Sequence, residues 1–196
     1  MQQAAMPTVL FVGTSLTAGY GLPDPNLAYP RLLQHKADSA GYRVRLVNAG
    51  VSGETSAGAL RRMDWLLQEP VAGLVLETGA NDGLRGQDPD SLRANIEAIL
   101  DRALRQDPAP RLLLVGMEAM PNLGFRYVRR FRTVFPDVAK EYDVPLVPFL
   151  LDGVAGSESL NQPDGIHPTA EGQRRMAETM WPYVEAMLRE IAPRGA

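Results

Sequence analysis

The sequence predicts an α/β fold: a three-layer α/β/α sandwich around a five-stranded parallel sheet. Three observations carry this. Short apolar runs alternate with longer amphipathic ones, the pattern of repeated β–α units. The short runs are rich in Val and Leu without polar alternation, which suits parallel strands buried on both faces. Gly, Pro or Asn flanks them, where the chain has to turn.

In chain order, the first strand is Thr8–Val12 and the first helix Ala28–Ala40. A second strand, Val44–Val47, precedes a helix over Thr55–Leu67, and a third, Leu74–Glu77, precedes a helix over Ser91–Gln106. That helix is the clearest: Asp90 or Ser91 can cap it, and Leu92, Ile96, Ile99, Leu100 and Ala103 mark one face at helical spacing. Strand Leu112–Val115 leads to a helix over Phe125–Tyr142, and strand Pro145–Val147 to a last helix after Thr169. Met176, Met180, Val184, Met187 and Leu188 form its core stripe, and Pro182 inside it predicts a kink or a restart. Right-handed crossovers place the helices on both faces of the sheet. In such sheets ligands bind outside the carboxyl ends of the strands, so the loops after each strand are where function is sought.

The 196 residues form one expected domain, with residues 1–6 as a loose leader. A chain of this size buries roughly 70% of its unfolded surface and needs no disulfide or metal staple. It has no cysteine, which excludes thiol catalysis and thiolate metal sites, and its only imidazoles are His35 and His167. No metal site or cofactor is expected. Twenty basic and 23 acidic residues give a net charge of −3, with no basic footprint for nucleic acid. No apolar run reaches the ~18–20 residues of a membrane span, and no signal sequence is recognisable. The chain as it stands points to the cytoplasm, and a removed signal would point to the periplasm or secretion. Oligomeric state is left open.

After the first strand comes Gly13-Thr14-Ser15-Leu16, with Ser15 on a strand-to-helix turn where its hydroxyl is exposed. Alone, such a serine reads as readily as a helix cap. Thr17 stands where the second glycine of a Gly-x-Ser-x-Gly elbow would be. Near the C-terminus, Asp164-Gly165-Ile166-His167-Pro168 is a loop that brings a carboxylate beside an imidazole. A nucleophilic serine needs such a base, and the base needs a carboxylate to hold its tautomer. His35, in a polar helical stretch, has no catalytic company. The second and third strand ends carry Gly53, with an unobstructed N–H, and Asn81, with a side-chain amide. Each alone reads as a turn residue. Together with the Ser15 N–H they can donate to the oxyanion that acyl transfer develops.

These four blocks, Gly13-Thr14-Ser15-Leu16, Gly53, Gly79-Ala80-Asn81-Asp82 and Asp164-Gly165-Ile166-His167-Pro168, resemble the SGNH (GDSL) hydrolase family over nearly the whole chain. Asn48-Ala49-Gly50-Val51-Ser52-Gly53-Glu54-Thr55-Ser56 and Pro121-Asn122-Leu123-Gly124 are similar to its bacterial arylesterase and multifunctional acyl-thioesterase/lysophospholipase branch. The resemblance implies a flavodoxin-like sandwich and metal-independent hydrolysis of small-molecule esters. Ser15 would attack, His167 would act as base and then acid, and Asp164 would orient His167. Ser15, Gly53 and Asn81 would form the oxyanion hole. The implied activity is a serine esterase for short to medium acyl and aryl esters. A thioesterase or lysophospholipase is the alternative within the same chemistry, and a non-catalytic binding module on the same fold is the alternative outside it. The acyl pocket is expected among Leu84, Met117, Leu123, Phe125 and Ile166. Thr14 departs from the family pattern, which has aspartate before the nucleophile, so the bracing of that turn is expected to be replaced or missing.

Overall fold

A computed structural model describes residues 6–192, and residues 1–5 of the expected leader lie outside them. Five strands form one sheet: β1 (Thr8–Gly13), β2 (Arg45–Gly50), β3 (Gly73–Glu77), β4 (Arg111–Val115) and β5 (Leu146–Val147). Their order is β2-β1-β3-β4-β5 and every pair is parallel. The register aligns Val12 of β1 with Ala49 of β2 and Leu76 of β3. That alignment brings the ends of β1, β2 and β3 level along one edge. β3 is buried at every residue, which explains why its sequence does not alternate.

Among the described residues seven α-helices accompany the strands: α1 (Ser15–Ala18), α2 (Tyr29–Ser39), α3 (Ser56–Leu66), α4 (Ala80–Leu84), α5 (Pro89–Leu104), α6 (Phe125–Glu141) and α7 (Ala170–Ile191). α2 packs with α7, while α5 packs with both α3 and α6, which gives the helix layers on either side of the sheet. The buried apolar side chains of strands and helices form one cluster centred on Phe11, Leu74, Leu76, Phe131 and Phe135. Among the described residues no helix is long and apolar enough to cross a membrane.

Two expectations about the helices change. α5 starts at Pro89, ahead of the expected caps Asp90 and Ser91. Proline is favoured at the first helical position because its fixed φ suits the helix and its missing N–H costs nothing there. Asp88 sits at the N-cap without a capping bond, its carboxylate instead accepting from Arg130 at 3.2 Å. α7 neither restarts nor ends at Pro182 but runs unbroken through 22 residues. Pro182 lies on the exposed face, while Met180 and Val184 on either side are fully buried. Thr169 caps α7 as expected, accepting from the Gly172 N–H at 3.3 Å.

Candidate active site

The turn after β1 is built around a buried carboxylate. Thr14 is extended and caps the four-residue α1, its hydroxyl accepting from the Leu16 N–H at 3.3 Å. Ser15 is thereby the first helical residue. Behind it lies Glu77, the last residue of β3 and 1% exposed. Glu77 accepts from the Thr14 N–H at 2.7 Å, from the Thr14 hydroxyl at 3.0 Å and from the Thr17 hydroxyl at 2.8 Å. The Tyr29 hydroxyl lies 2.9 Å from Thr17 Oγ1 and completes the cluster. Burial pushes the Glu77 carboxyl above its usual range, and these hydrogen bonds pull the other way. Only glycine fits at position 13, where a Cβ would come within 2.0 Å of Thr17 Oγ1 and 2.7 Å of Glu77 Oε2. Thr14 is thus braced across the sheet by the Glu77 carboxyl group. The sequence reading missed it, although a charged residue ending the buried run Leu74–Glu77 was a visible signal.

The loop before α7 is closed on itself. The Gln162 N–H donates to the His167 carbonyl at 2.7 Å, and Asn161 bridges Pro168. Asp164 Oδ1 accepts from the Ile166 and His167 N–H groups, each at 3.0 Å. That leaves Oδ2 for the ring, 2.6 Å from His167 Nδ1. Hydrogen bonds from the His167 ring and then from these two backbone amides hold the Asp164 pKa down to about 2. An ionised Asp164 only accepts, so Nδ1 carries the proton and Nε2 faces Ser15 with its lone pair. His167 Nε2 lies 2.9 Å from Ser15 Oγ. Serine, histidine and aspartate form one hydrogen-bonded line. His35 is exposed on α2, away from this group.

Gly53 and Asn81 meet the same space from the ends of β2 and β3. Gly53 has φ +78°, a left-handed backbone that disfavours a side chain. Its carbonyl accepts from Arg85 Nη2 at 2.9 Å, and the Asn81 amide donates to the Glu54 carbonyl at 2.9 Å. Arg62 binds the Glu54 carboxylate and the Ala49 carbonyl, each at 2.6 Å, so the loop is tied at both ends. The second Nδ2 hydrogen of Asn81 is left for a ligand.

Ser15, Gly53, Asn81 and His167 all line a cavity of about 480 Å³. That volume is in the range for a small organic ligand. Of the residues expected to form the pocket, Leu84 and Ile166 line it. Met117, Leu123 and Phe125 do not. Met117 is 4% exposed and belongs to the core, and Leu123 packs on that core from the turn before α6. Phe125 is 81% exposed at the start of α6, its ring under the Arg129 guanidinium. The apolar wall is completed instead by Leu16, Tyr20, Met120, Leu151 and Ala155, with Glu118 the charged residue on the lining. Leu151 and Ala155 come from an irregular segment without a period to read.

The sequence profile described as GDSL-like Lipase/Acylhydrolase family matches residues 11–175. Esterase TesA of Pseudomonas aeruginosa is 42% identical over 188 residues, covering 95% of this chain and 92% of TesA. The Escherichia coli K12 protein named thioesterase 1/protease 1/lysophospholipase L1 is 38% identical over 178 residues, covering 90% of this chain and 83% of its own. Among solved structures, the psychrotrophic esterase EstA from Pseudoalteromonas sp., inhibited by monoethylphosphonate, superposes with a TM-score of 0.86 at 33% identity. That match covers 93% of this chain and 98% of EstA.

Proposed function

The chain belongs to the GDSL-like lipase/acylhydrolase family and is a carboxylic ester hydrolase, and from that premise we propose that it cleaves short to medium acyl and aryl esters through Ser15, His167 and Asp164. The observation that carries this reading is the unbroken line from Ser15 Oγ through His167 to Asp164, at 2.9 and 2.6 Å. In acylation, Ser15 Oγ attacks the carbonyl carbon while His167 Nε2 takes its proton. The carbonyl oxygen becomes an oxyanion received by the Ser15 and Gly53 N–H groups and the Asn81 amide. His167 then gives the proton to the departing alcohol, and a water repeats the sequence to release the acid. Asp164 stays ionised throughout and favours the imidazolium.

The apolar wall from Leu16, Leu84, Met120, Leu151 and Ile166 supports an acyl site beside Ser15. A set of nitrophenyl esters and matching thioesters with two to twelve acyl carbons tests the substrate class. Turnover centred on short and medium oxygen esters supports the esterase reading. Preference for thioesters or long chains would move it to the thioesterase or lysophospholipase reading, which the E. coli relative's name also supports.

Two further results are expected. Asn81→Ala should lower kcat by ~10²–10³, the effect of removing one oxyanion donor. A change below threefold in steady-state kinetics would reject that role. The acid limb of the kcat/KM profile should have unit slope, because Asp164 takes up no proton there. Asp164, depressed from 3.8 to about 2, remains a carboxylate until far lower pH, and its contribution is lost only as pH falls through that value. A slope of two above about pH 4 would contradict this assignment.

A further inference from the structure

Tyr20 joins the two segments that carry the site, and nothing in the hydrolytic scheme above uses it. Its N–H donates to the Ser15 carbonyl at 3.0 Å, which ties it to the serine turn. Its own carbonyl accepts from Gln162 Nε2 at 2.7 Å, and the same Gln162 amide donates to the Pro168 carbonyl at 3.0 Å. Gln162 thus clamps Tyr20 to the loop that presents His167. The Tyr20 ring lies with its centroid 4.6 Å from that of the His167 imidazole, tilted by 44°. Tyr20 is 52% exposed, so core burial does not explain its placement.

We propose that Tyr20 is a positioning residue for the reaction, its ring holding the His167 imidazole in place and favouring the imidazolium that forms when Ser15 gives up its proton. The proposal rests on the Ser15–His167 reading. Two geometric facts carry it. The hydrogen bonds at Nδ1 and Nε2 fix only two points of the imidazole, so both survive a rocking motion about the axis that joins them. A ring packed against the imidazole opposes that motion. In addition, an aromatic ring within about 6 Å attracts a cation through its negative face. His167 is neutral when substrate binds and positive in the transition state, so this attraction acts where catalysis needs it.

The test compares Tyr20→Phe, Tyr20→Trp and Tyr20→Leu with the parent protein on nitrophenyl acetate, whose acyl group is too small to depend on the cavity wall. Each protein's rate of labelling by a small organophosphonate is measured in parallel, since that reaction also needs Ser15 and its base but no turnover. Phe and Trp keep an aromatic ring and should stay within about twofold in kcat. Leu should lower kcat and the labelling rate by the same factor, about 3–10-fold, with KM within twofold. A Leu variant that changes KM alone makes Tyr20 no more than a part of the cavity wall and overturns the proposal. A Phe variant as impaired as Leu overturns it too, by shifting the effect to the hydroxyl. Failure of the parent protein to be labelled at Ser15 would instead remove the underlying reading of the site.

Discussion

Ser15→Ala should reduce kcat on a nitrophenyl ester by about 10⁶-fold, the loss seen when a serine hydrolase forfeits its nucleophile. The magnitude reflects the loss of the covalent route itself, while the oxyanion donors and the cavity remain and sustain some residual catalysis. The fold should survive. The Ser15 hydroxyl faces His167, while the cap of α1 is Thr14 and the turn is held from behind by Glu77. Alanine is also a good residue at a helical position. Matching thermal melts with collapsed turnover would therefore locate the defect in chemistry. Serine and histidine act as one unit, so the Ser15→Ala, His167→Ala double variant should be no slower than Ser15→Ala alone. Turnover within a hundredfold of the parent protein would remove Ser15 as nucleophile, as would additive losses in the double variant.

Strand positions and most of the site were legible because each rests on a local signal. Thr8–Val12 and Leu112–Val115 are apolar without alternation, and the structure extends them by one residue at one end. Gly53, Asn81 and the Asp164–His167 pair sit on strand ends or turns, and it was their joint occurrence with Ser15 in chain order that marked them. What stayed hidden depends on pairings between distant segments. α1 and α4, of four and five residues, are too short to show a period. The cavity wall is drawn from five separate segments, and membership of a loop does not show which side chains turn inward: Met117 and Phe125 face the core and the solvent. Tyr20 follows Ser15 by five residues, yet its contact with His167 needs the 152-residue closure that brings Ser15 and His167 together. The restart expected at Pro182 does not occur: the helix runs on through it, with Met180 and Val184 buried on either side.

The second large effect expected is on stability, at Glu77. Replacement by alanine leaves the Thr14 N–H and two threonine hydroxyls without their acceptor in a buried site, and opens a cavity behind Ser15. Unsatisfied buried donors and an unfilled cavity together should cost about 3–5 kcal/mol, or a fall in Tm of ~10 °C for a chain of this length. Glu77→Gln keeps one acceptor and should cost clearly less. The two variants also separate packing from charge. Burial raises the Glu77 pKa above its ordinary 4.5 in the folded protein, so the folded state holds this proton more tightly than the unfolded chain does. Its contribution is therefore full below pH 4.5 and declines as pH rises through the higher folded value. Glu77→Gln removes that decline, so the stability gap between parent and variant should narrow toward alkaline pH in urea titrations. A gap independent of pH would mean that Glu77 does not change protonation differently in the two states. In the Glu77 cluster Thr14 contributes a hydroxyl and no second carboxyl group. Thr14→Asp would place a second carboxyl within about 3 Å of the first, and two such groups cannot both ionise readily. That variant should bind one proton more than the parent near neutral pH and lose stability faster as pH rises, and a parallel pH profile would show that the turn tolerates either residue without electrostatic consequence.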